Sequence, residues 1–447
     1  MTKTQSLIKG TFILTLTGFA TRIIGFFYRI FLSHAFGEES VGLYQLIFPL
    51  YALLFSLTCA GFQTAISRSV AYKVSLGKTN EAKHFTFVAL TCSLVFSIIA
   101  LLFLQRFAYE ISIFIIKDLR CEPLLITISY SLPLASVHSC ICGYYLGLRQ
   151  TKVPAISQFI EQTIRVACVF LLWLFSIKNN ITVSIQLAVI GVVLGEVGSC
   201  MYCVRQFYPA HNSPKIFRLL QHGSTYGKEL FSLAIPLTAN RTLLNILQSI
   251  EAISIPLRLQ AFGMPSSDSL KIYGVLTGMA LPCILFPSAI TNSVSTMLLP
   301  TIADLEASDT KKNLNAIIKK VSGCCFLLGF VCCVFFLMFG RWMGTVLFHS
   351  SLASSFIFIL AWICPFLYTN STFLSIINGL GKTVITFYIN TVGLLIRLVG
   401  VLYLIPIVGI KGYLWGLLAS QLTVSVLCIL YLSLRNARKQ KSKGLSS

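Results

Sequence analysis

The sequence predicts an all-α polytopic membrane protein of about twelve transmembrane helices, arranged as two homologous six-helix lobes with both termini cytoplasmic. Three observations carry this expectation. The 447 residues are 56% hydrophobic and only 11% charged, with a mean hydropathy of +0.82, and a water-soluble chain of that composition has too little polar surface to cover itself. Apolar stretches of about twenty residues recur from end to end, the length a helix needs to cross roughly 30 Å of hydrocarbon. A segment of the first half also recurs in the second.

Lipid offers the backbone no hydrogen-bond partners, so the spans are helices. They are expected at residues 7–31, 42–66, 85–104, 124–146, 154–175, 181–203, 230–255, 272–297, 321–339, 355–377, 384–405 and 412–434. The first is too long for a signal-peptide core, carries two arginines and lacks a small-residue cleavage site at its end, so it is expected to stay in the mature protein.

The formal charge of +21 invites a nucleic-acid reading, which its distribution excludes. With the amino terminus inside, 22 of the 35 lysines and arginines fall in inner segments, eight in outer segments and five within spans. That alternation is the positive-inside pattern of a bacterial inner-membrane protein with an even number of helices. Membrane lipids, not nucleic acid, are the partners it implies. Most of the fifteen cysteines lie inside spans. The doublets Cys324–Cys325 and Cys332–Cys333 lack the CxxC spacing of zinc sites, so the cysteines read as small buried apolar residues and no metal or other cofactor is expected.

The internal repeat sets the domain organisation. Residues 147–172 overlay on 379–404 without a gap, matching Gly147/Gly379, Leu148/Leu380, Thr151/Thr383, Ile164/Ile396, Arg165/Arg397, Val169/Val401 and Leu172/Leu404. Ala35-Phe36-Gly37 recurs as Ala261-Phe262-Gly263. Six spans per copy give both copies the same orientation, the layout of parallel-repeat transporters that hold substrate between lobes. The polar segment 205–228 is the expected linker, giving an amino-terminal lobe of residues 1–212 and a carboxyl-terminal lobe of residues 213–447.

Charges within spans mark the candidate site, because each costs roughly 2.5–3.5 kcal/mol on an insertion scale. In the first span Thr11, Thr15, Gly18, Arg22, Gly25, Arg29 and Ser33 follow at steps of three or four and share one helix face. No acid lies on that helix, and Gly18 and Gly25 leave room for a bulky anion. Thr238, Arg241, Asn245 and Gln248 form a matching stripe on the seventh span. The repeat makes these two helices equivalent, so the stripes are expected to line one cavity. Glu161 and Arg165, at i and i+4, read as a structural ion pair. Glu196, Glu251 and Arg397 are isolated in sequence and read as packing or ion-coupling charges.

The segments LTLTGFATRIIGFFYRI from Leu14, AFGEESVGLYQLIFPLYALL from Ala35 and AGFQTAISRSVA ending at Ala71 resemble the amino-terminal signature of the stage V sporulation protein B family. Those proteins are polysaccharide-transporter-like members of the multidrug/oligosaccharidyl-lipid/polysaccharide (MOP) exporter superfamily, related to the lipid II flippase. The resemblance implies a MATE-like bundle of two six-helix lobes. It also implies a non-enzymatic flippase for an anionic lipid-linked saccharide, such as a polyprenyl-diphosphate wall or spore-cortex precursor, working beside cell-wall synthesis enzymes. First-helix arginines would hold the diphosphate, and Arg22 and Arg29 correspond in kind. A multidrug or cation antiporter of the same superfamily is the alternative that Glu161, Glu196 and Glu251 keep open, and a non-transporting scaffold of a wall-synthesis complex is a second.

Overall fold

A computed structural model describes residues 3–207, 216–307 and 311–444, with side chains over 15–207, 226–295 and 316–435 and at 298 and 302. Among these residues there are helices and the turns between them, and no strand. Two compact units form, Met1–Ile253 and Ser254–Ser447. The boundary expected at 212/213 lies outside the described residues, as do residues 208–215 of the expected linker.

The first unit holds α1 (Lys3–Phe55), α2 (Gly61–Ser75), α3 (Thr79–Glu110), α4 (Glu122–Ser129), α5 (Ser131–Gly147), α6 (Lys152–Lys178), α7 (Gln186–Phe207) and α8 (Ile216–Ala261) as far as Ile253. The second holds the rest of α8, then α9 (Ser266–Gly274), α10 (Leu281–Leu285), α11 (Ser288–Ala307), α12 (Lys311–Leu347), α13 (Ser351–Leu360), α14 (Cys364–Gly379), α15 (Thr383–Val399), α16 (Ile405–Val408) and α17 (Ile410–Gly444).

Ten helices among the described residues are long and apolar enough to cross a membrane, or eleven if the bent pair Leu119–Ser129 and Ser131–Gly147 is one span. The run Thr15–Ser75 is 61 residues long, about 90 Å at 1.5 Å per residue. That is far more than one crossing requires. Its helical geometry breaks at Gly37 (φ 79°, ψ 168°), a conformation open to glycine because it has no Cβ. The break falls between the first two spans expected from the sequence.

The left-handed positions of the backbone carry the repeat independently of residue identity. Gly37 and Gly263 have positive φ, as do Lys117 and His349, Arg149 and Gly381, and Asn180 and Gly409. These pairs lie 226, 232, 232 and 229 residues apart. The turn after α5 shows why. Arg149 N–H donates to Leu146 O (3.0 Å) and Gln150 N–H to Tyr145 O (2.9 Å), and after α14 Gly381 N–H donates to Asn378 O (2.9 Å) and Lys382 N–H to Ile377 O (3.1 Å). Both helices end in the same Schellman geometry.

Packing within the first unit relies on close helix approach. Phe62, Ile66, Phe85, Ile141, Tyr144, Cys203 and Leu230 form its buried core. Lys73, although a lysine, is 7% exposed. Its Nζ reaches Glu229 Oε2 (2.8 Å) and lies 5.4 Å from the ring centres of both Phe85 and Tyr226. Ser69 donates to the other Glu229 oxygen (2.7 Å), so α2 and α8 are joined by a fully engaged carboxylate. Where α5 crosses α2, a Cβ on Gly143 would stand 2.6 Å from Gln63 O. Overpacking of this kind costs typically 1–3 kcal/mol. Gly143→Ala is therefore expected to lower detergent melting temperature and membrane accumulation, whereas Gly323→Ala, where a Cβ meets nothing within 4 Å, leaves both unchanged. Equal stability of the two variants would refute the crossing.

Candidate functional site

The polar stripe of the first span divides into two environments. Arg22 is exposed and makes no hydrogen bond or ion pair among the described residues. A Cβ on Gly18, one turn before it, would meet nothing within 4 Å, so the surface around Arg22 is open. Gly25 faces α6, where a Cβ would stand 3.4 Å from Gln162 Nε2. Arg29, one turn further, is half-buried and lies within electrostatic reach of Tyr28, Tyr44 and Arg165. The side chain of Thr11 lies outside the described residues.

Arg29 thereby approaches a buried polar cluster that sequence periodicity did not reveal. Glu161 and Arg165 on α6 are in direct contact, as their i, i+4 spacing predicted. Glu196, isolated in sequence, bonds His138 of α5 through Nδ1 (Oε2, 3.2 Å). The opposite ring nitrogen, Nε2, lies 3.1 Å from Ser157 Oγ on α6. Ser199 Oγ of α7 is 3.3 Å from Nδ1. Ligating atoms of His138, Glu161 and Glu196 all lie within 4.8 Å of one another. Cys142 Sγ extends the chain, 3.4 Å from Ser157 Oγ and 3.9 Å from Cys203 Sγ. That separation is far beyond the ~2.05 Å of a disulfide. Both thiols sit in the apolar core described above.

His138 carried no sequence signal of its own, because its partners lie on other helices. The repeat is the signal that could have found it. The gap-free overlay extends backwards through Pro133/Pro365 and Ser139/Ser371 and sets His138 on Asn370. After a connection that is shorter in the second half, the offset becomes 225, matching Gly191/Gly416 and Cys203/Cys428 and setting Glu196 on Gln421. Packing supports that register. Gly191 lies against Arg165 O and Gly416 against Arg397 O, the arginines being repeat equivalents. In the second unit Asn370 Nδ2 donates to Gln421 Oε1 and O (both 2.9 Å), and Ser425 donates to Asn370 Oδ1 (2.6 Å). The same two helix positions therefore pair as imidazole with carboxylate in one unit and amide with amide in the other. Glu161 overlays on Gly393, so the acidic half of the ion pair is not repeated.

The stripe on α8 also divides. Asn245 Nδ2 donates to Ala52 O (3.2 Å) and Ser249 to Pro49 O (2.9 Å). Thr242 Oγ1 lies 3.3 Å from Ser56 Oγ. These contacts fall along the stretch of the first helix that runs from Pro49 into the π-turn Ser56–Ala60. Thr238 fills the space that a Cβ on Gly61 would take. Arg241 and Gln248 are exposed, and Arg241 has no ion pair among the described residues. Glu251 is buried and Arg397 half-buried.

Residues 7–306 match the family described as polysaccharide biosynthesis protein. Stage V sporulation protein B of Bacillus subtilis (strain 168) is 27% identical over 428 residues, covering 95% of this chain and 83% of the relative. Among solved structures, the lipid II flippase MurJ in an inward closed conformation aligns with a TM-score of 0.70 or better, namely 0.74, at 14% identity over 94% of this chain and 87% of its own. An inward-facing multidrug resistance MATE transporter of the MOP superfamily aligns at 0.70 with 12% identity over 95% of each chain. At those identities the structures show the fold. The chain belongs to the polysaccharide biosynthesis protein family, as a multi-pass membrane protein similar in sequence to stage V sporulation protein B and with the fold of MOP-superfamily transporters.

Proposed function

We propose that this transporter flips an anionic lipid-linked saccharide of the polyprenyl-diphosphate type, with Arg22 as the principal phosphate ligand. The observation that carries this is an arginine inside a span that is exposed, bordered by the open face at Gly18, and without an ion pair among the described residues. A guanidinium left in that state costs several kcal/mol unless water or an anion meets it, and its planar fork matches phosphate oxygens bidentately. Arg241 is a second exposed guanidinium within an expected span, with Gln248 about two turns on. Arg29 sets the field behind them. The names of two relatives, stage V sporulation protein B and lipid II flippase MurJ, agree with a wall or spore-cortex precursor as cargo. A cation antiporter would need carboxylates available to its cargo, whereas Glu161 and Glu196 are each engaged, by Arg165 and His138, and Glu251 is buried.

The architecture proposed for this work is twelve crossings in two six-helix lobes, 1–212 and 213–447, with both termini cytoplasmic. The break at Gly37 supports counting Thr15–Ser75 as two crossings, and the recurring left-handed positions support the repeat. Single cysteines introduced for impermeant-thiol labelling should place Lys78, Lys152 and Lys439 inside and Glu38, Lys178 and Ser267 outside. Labelling of Lys152 from the outside would break the six-plus-six layout.

In proteoliposomes supplied with lipid II, Arg22→Ala is expected to abolish flipping while the protein accumulates normally, and Arg22→Lys to restore only part of it, since charge is kept and the fork is lost. Normal flipping per molecule in both Arg22→Ala and Arg241→Ala would sink the anionic-cargo reading. Glu161 is expected to act differently. Removing one member of a buried ion pair costs about 3–5 kcal/mol, so Glu161→Gln should deplete the protein, and adding Arg165→Gln should recover its level.

A further inference from the structure

The acidic residues of this chain stop early. No aspartate or glutamate follows Asp309, although lysines and arginines continue to Lys443. No side chain of α12 to α17 can therefore neutralise a cation on those helices. Arg341 and Lys411 are exposed and have no ion pair among the described residues.

Both stand at one end of an apolar groove of about 570 Å³ built from second-unit residues alone. Phe358, Trp362 and Phe366 recur at steps of four and form one wall. Lys411, Trp415 and Leu422 of α17 form the other. Arg341 Cζ lies 5.1 Å from the centre of the Phe358 ring, so its guanidinium flanks the first wall where Lys411 begins the second. We propose that this groove binds one anionic phospholipid, with its phosphate between Arg341 and Lys411 and one acyl chain running past the tryptophans toward Leu422. In the twelve-crossing layout the lipid comes from the outer leaflet. The site itself depends neither on that layout nor on the cargo.

The length of the groove fits one leaflet. Lys411 to Leu422 is eleven residues of α17, about 16 Å at 1.5 Å per residue, and a leaflet supplies half of the roughly 30 Å hydrocarbon core. A chain entering beside Lys411 thus ends near the bilayer midplane. Its level fits as well. Three of the four tryptophans, Trp342, Trp362 and Trp415, lie on these helices, and each is more than half exposed (56%, 57% and 66%). Indoles favour the headgroup boundary, where one part is wet and the other apolar.

Charge selects the headgroup. Stacking on Phe358 holds the guanidinium while leaving its N–H groups for phosphate oxygens, and Lys411 adds a point charge. A zwitterionic headgroup would bring a cation of its own against both. A second copy docking through the same face would set these cations against like charge, because that face carries no carboxylate.

Bromine quenches a tryptophan that it touches, so the native indoles report the occupant. The full chain is reconstituted in phosphatidylcholine vesicles, into which chain-brominated phosphatidylglycerol or chain-brominated phosphatidylcholine is titrated. The quenching that Trp362→Phe/Trp415→Phe lacks is the groove's share. In that share phosphatidylglycerol is expected to be preferred by about five-fold for each cation. Lys411→Gln should lower the preference about five-fold, and Arg341→Gln/Lys411→Gln should bring it to about one. Added salt should lower it in the unaltered protein, a readout that needs no variant. Equal quenching by the two lipids, or a preference that survives in the double glutamine variant, would overturn the site. Quenching by neither would mean that a second copy covers the face, and would overturn it too. Loss of the preference on adding inorganic phosphate at constant ionic strength would assign the cations to a free anion and overturn the lipid.

Discussion

Everything in this chain follows from the cost of leaving a polar group unpaired in hydrocarbon. The backbone meets it by remaining helical, and Asn245, Ser249 and Thr242 of α8 come to the stretch that runs from Pro49 into the π-turn Ser56–Ala60. Lys73 meets it by giving its ammonium to Glu229 and two aromatic faces. Glu161, Arg165, Glu196 and His138 meet it by sharing one cluster. Arg22 has no hydrogen bond or ion pair among the described residues, and that is what directs attention to the first helix.

The two units share a backbone plan and differ in charge. Left-handed residues, Schellman turns and glycine contacts recur at nearly constant offsets, so the duplicated fold is encoded by where the chain must turn and where helices approach closely. The first copy carries imidazole and carboxylate at His138 and Glu196 where the second carries the amides Asn370 and Gln421, while Arg165 has its equivalent in Arg397. Amides satisfy hydrogen bonds at fixed charge, whereas imidazole and carboxylate exchange protons. The difference between the copies is thus chemical and not architectural.

Aromatic and aliphatic surface completes the picture. Along α3, Phe96, Phe103 and Phe107 are exposed while Ser93, Ser97, Ala100, Leu104 and Ala108 are buried. Apart from Leu104, small and polar residues of this stretch face the neighbouring helices and large apolar ones face outward, the reverse of a soluble helix. Ser93 accordingly donates to Thr58 O (2.6 Å) and lies 2.9 Å from Ser136 Oγ, contacts of the kind that hold helices together when lipid removes the hydrophobic drive between them.

How much was legible beforehand depended on the range of each interaction. The sequence by itself determined the multi-pass membrane class, the recurrence of 147–172 at 379–404 and the Glu161–Arg165 pair, and it set Arg22 on a polar helix face, because hydropathy and the 3.6-residue period are local properties of one helix. The tertiary structure decided which stripe residues are spent on packing. Asn245 is engaged 193 residues away, while Arg241 and Gln248 on the same helix stay exposed. It also decided that Glu196 and His138, 58 residues apart, form one site. No period along a chain encodes such a pairing, since it is set by which helix faces meet when α5, α6 and α7 pack together.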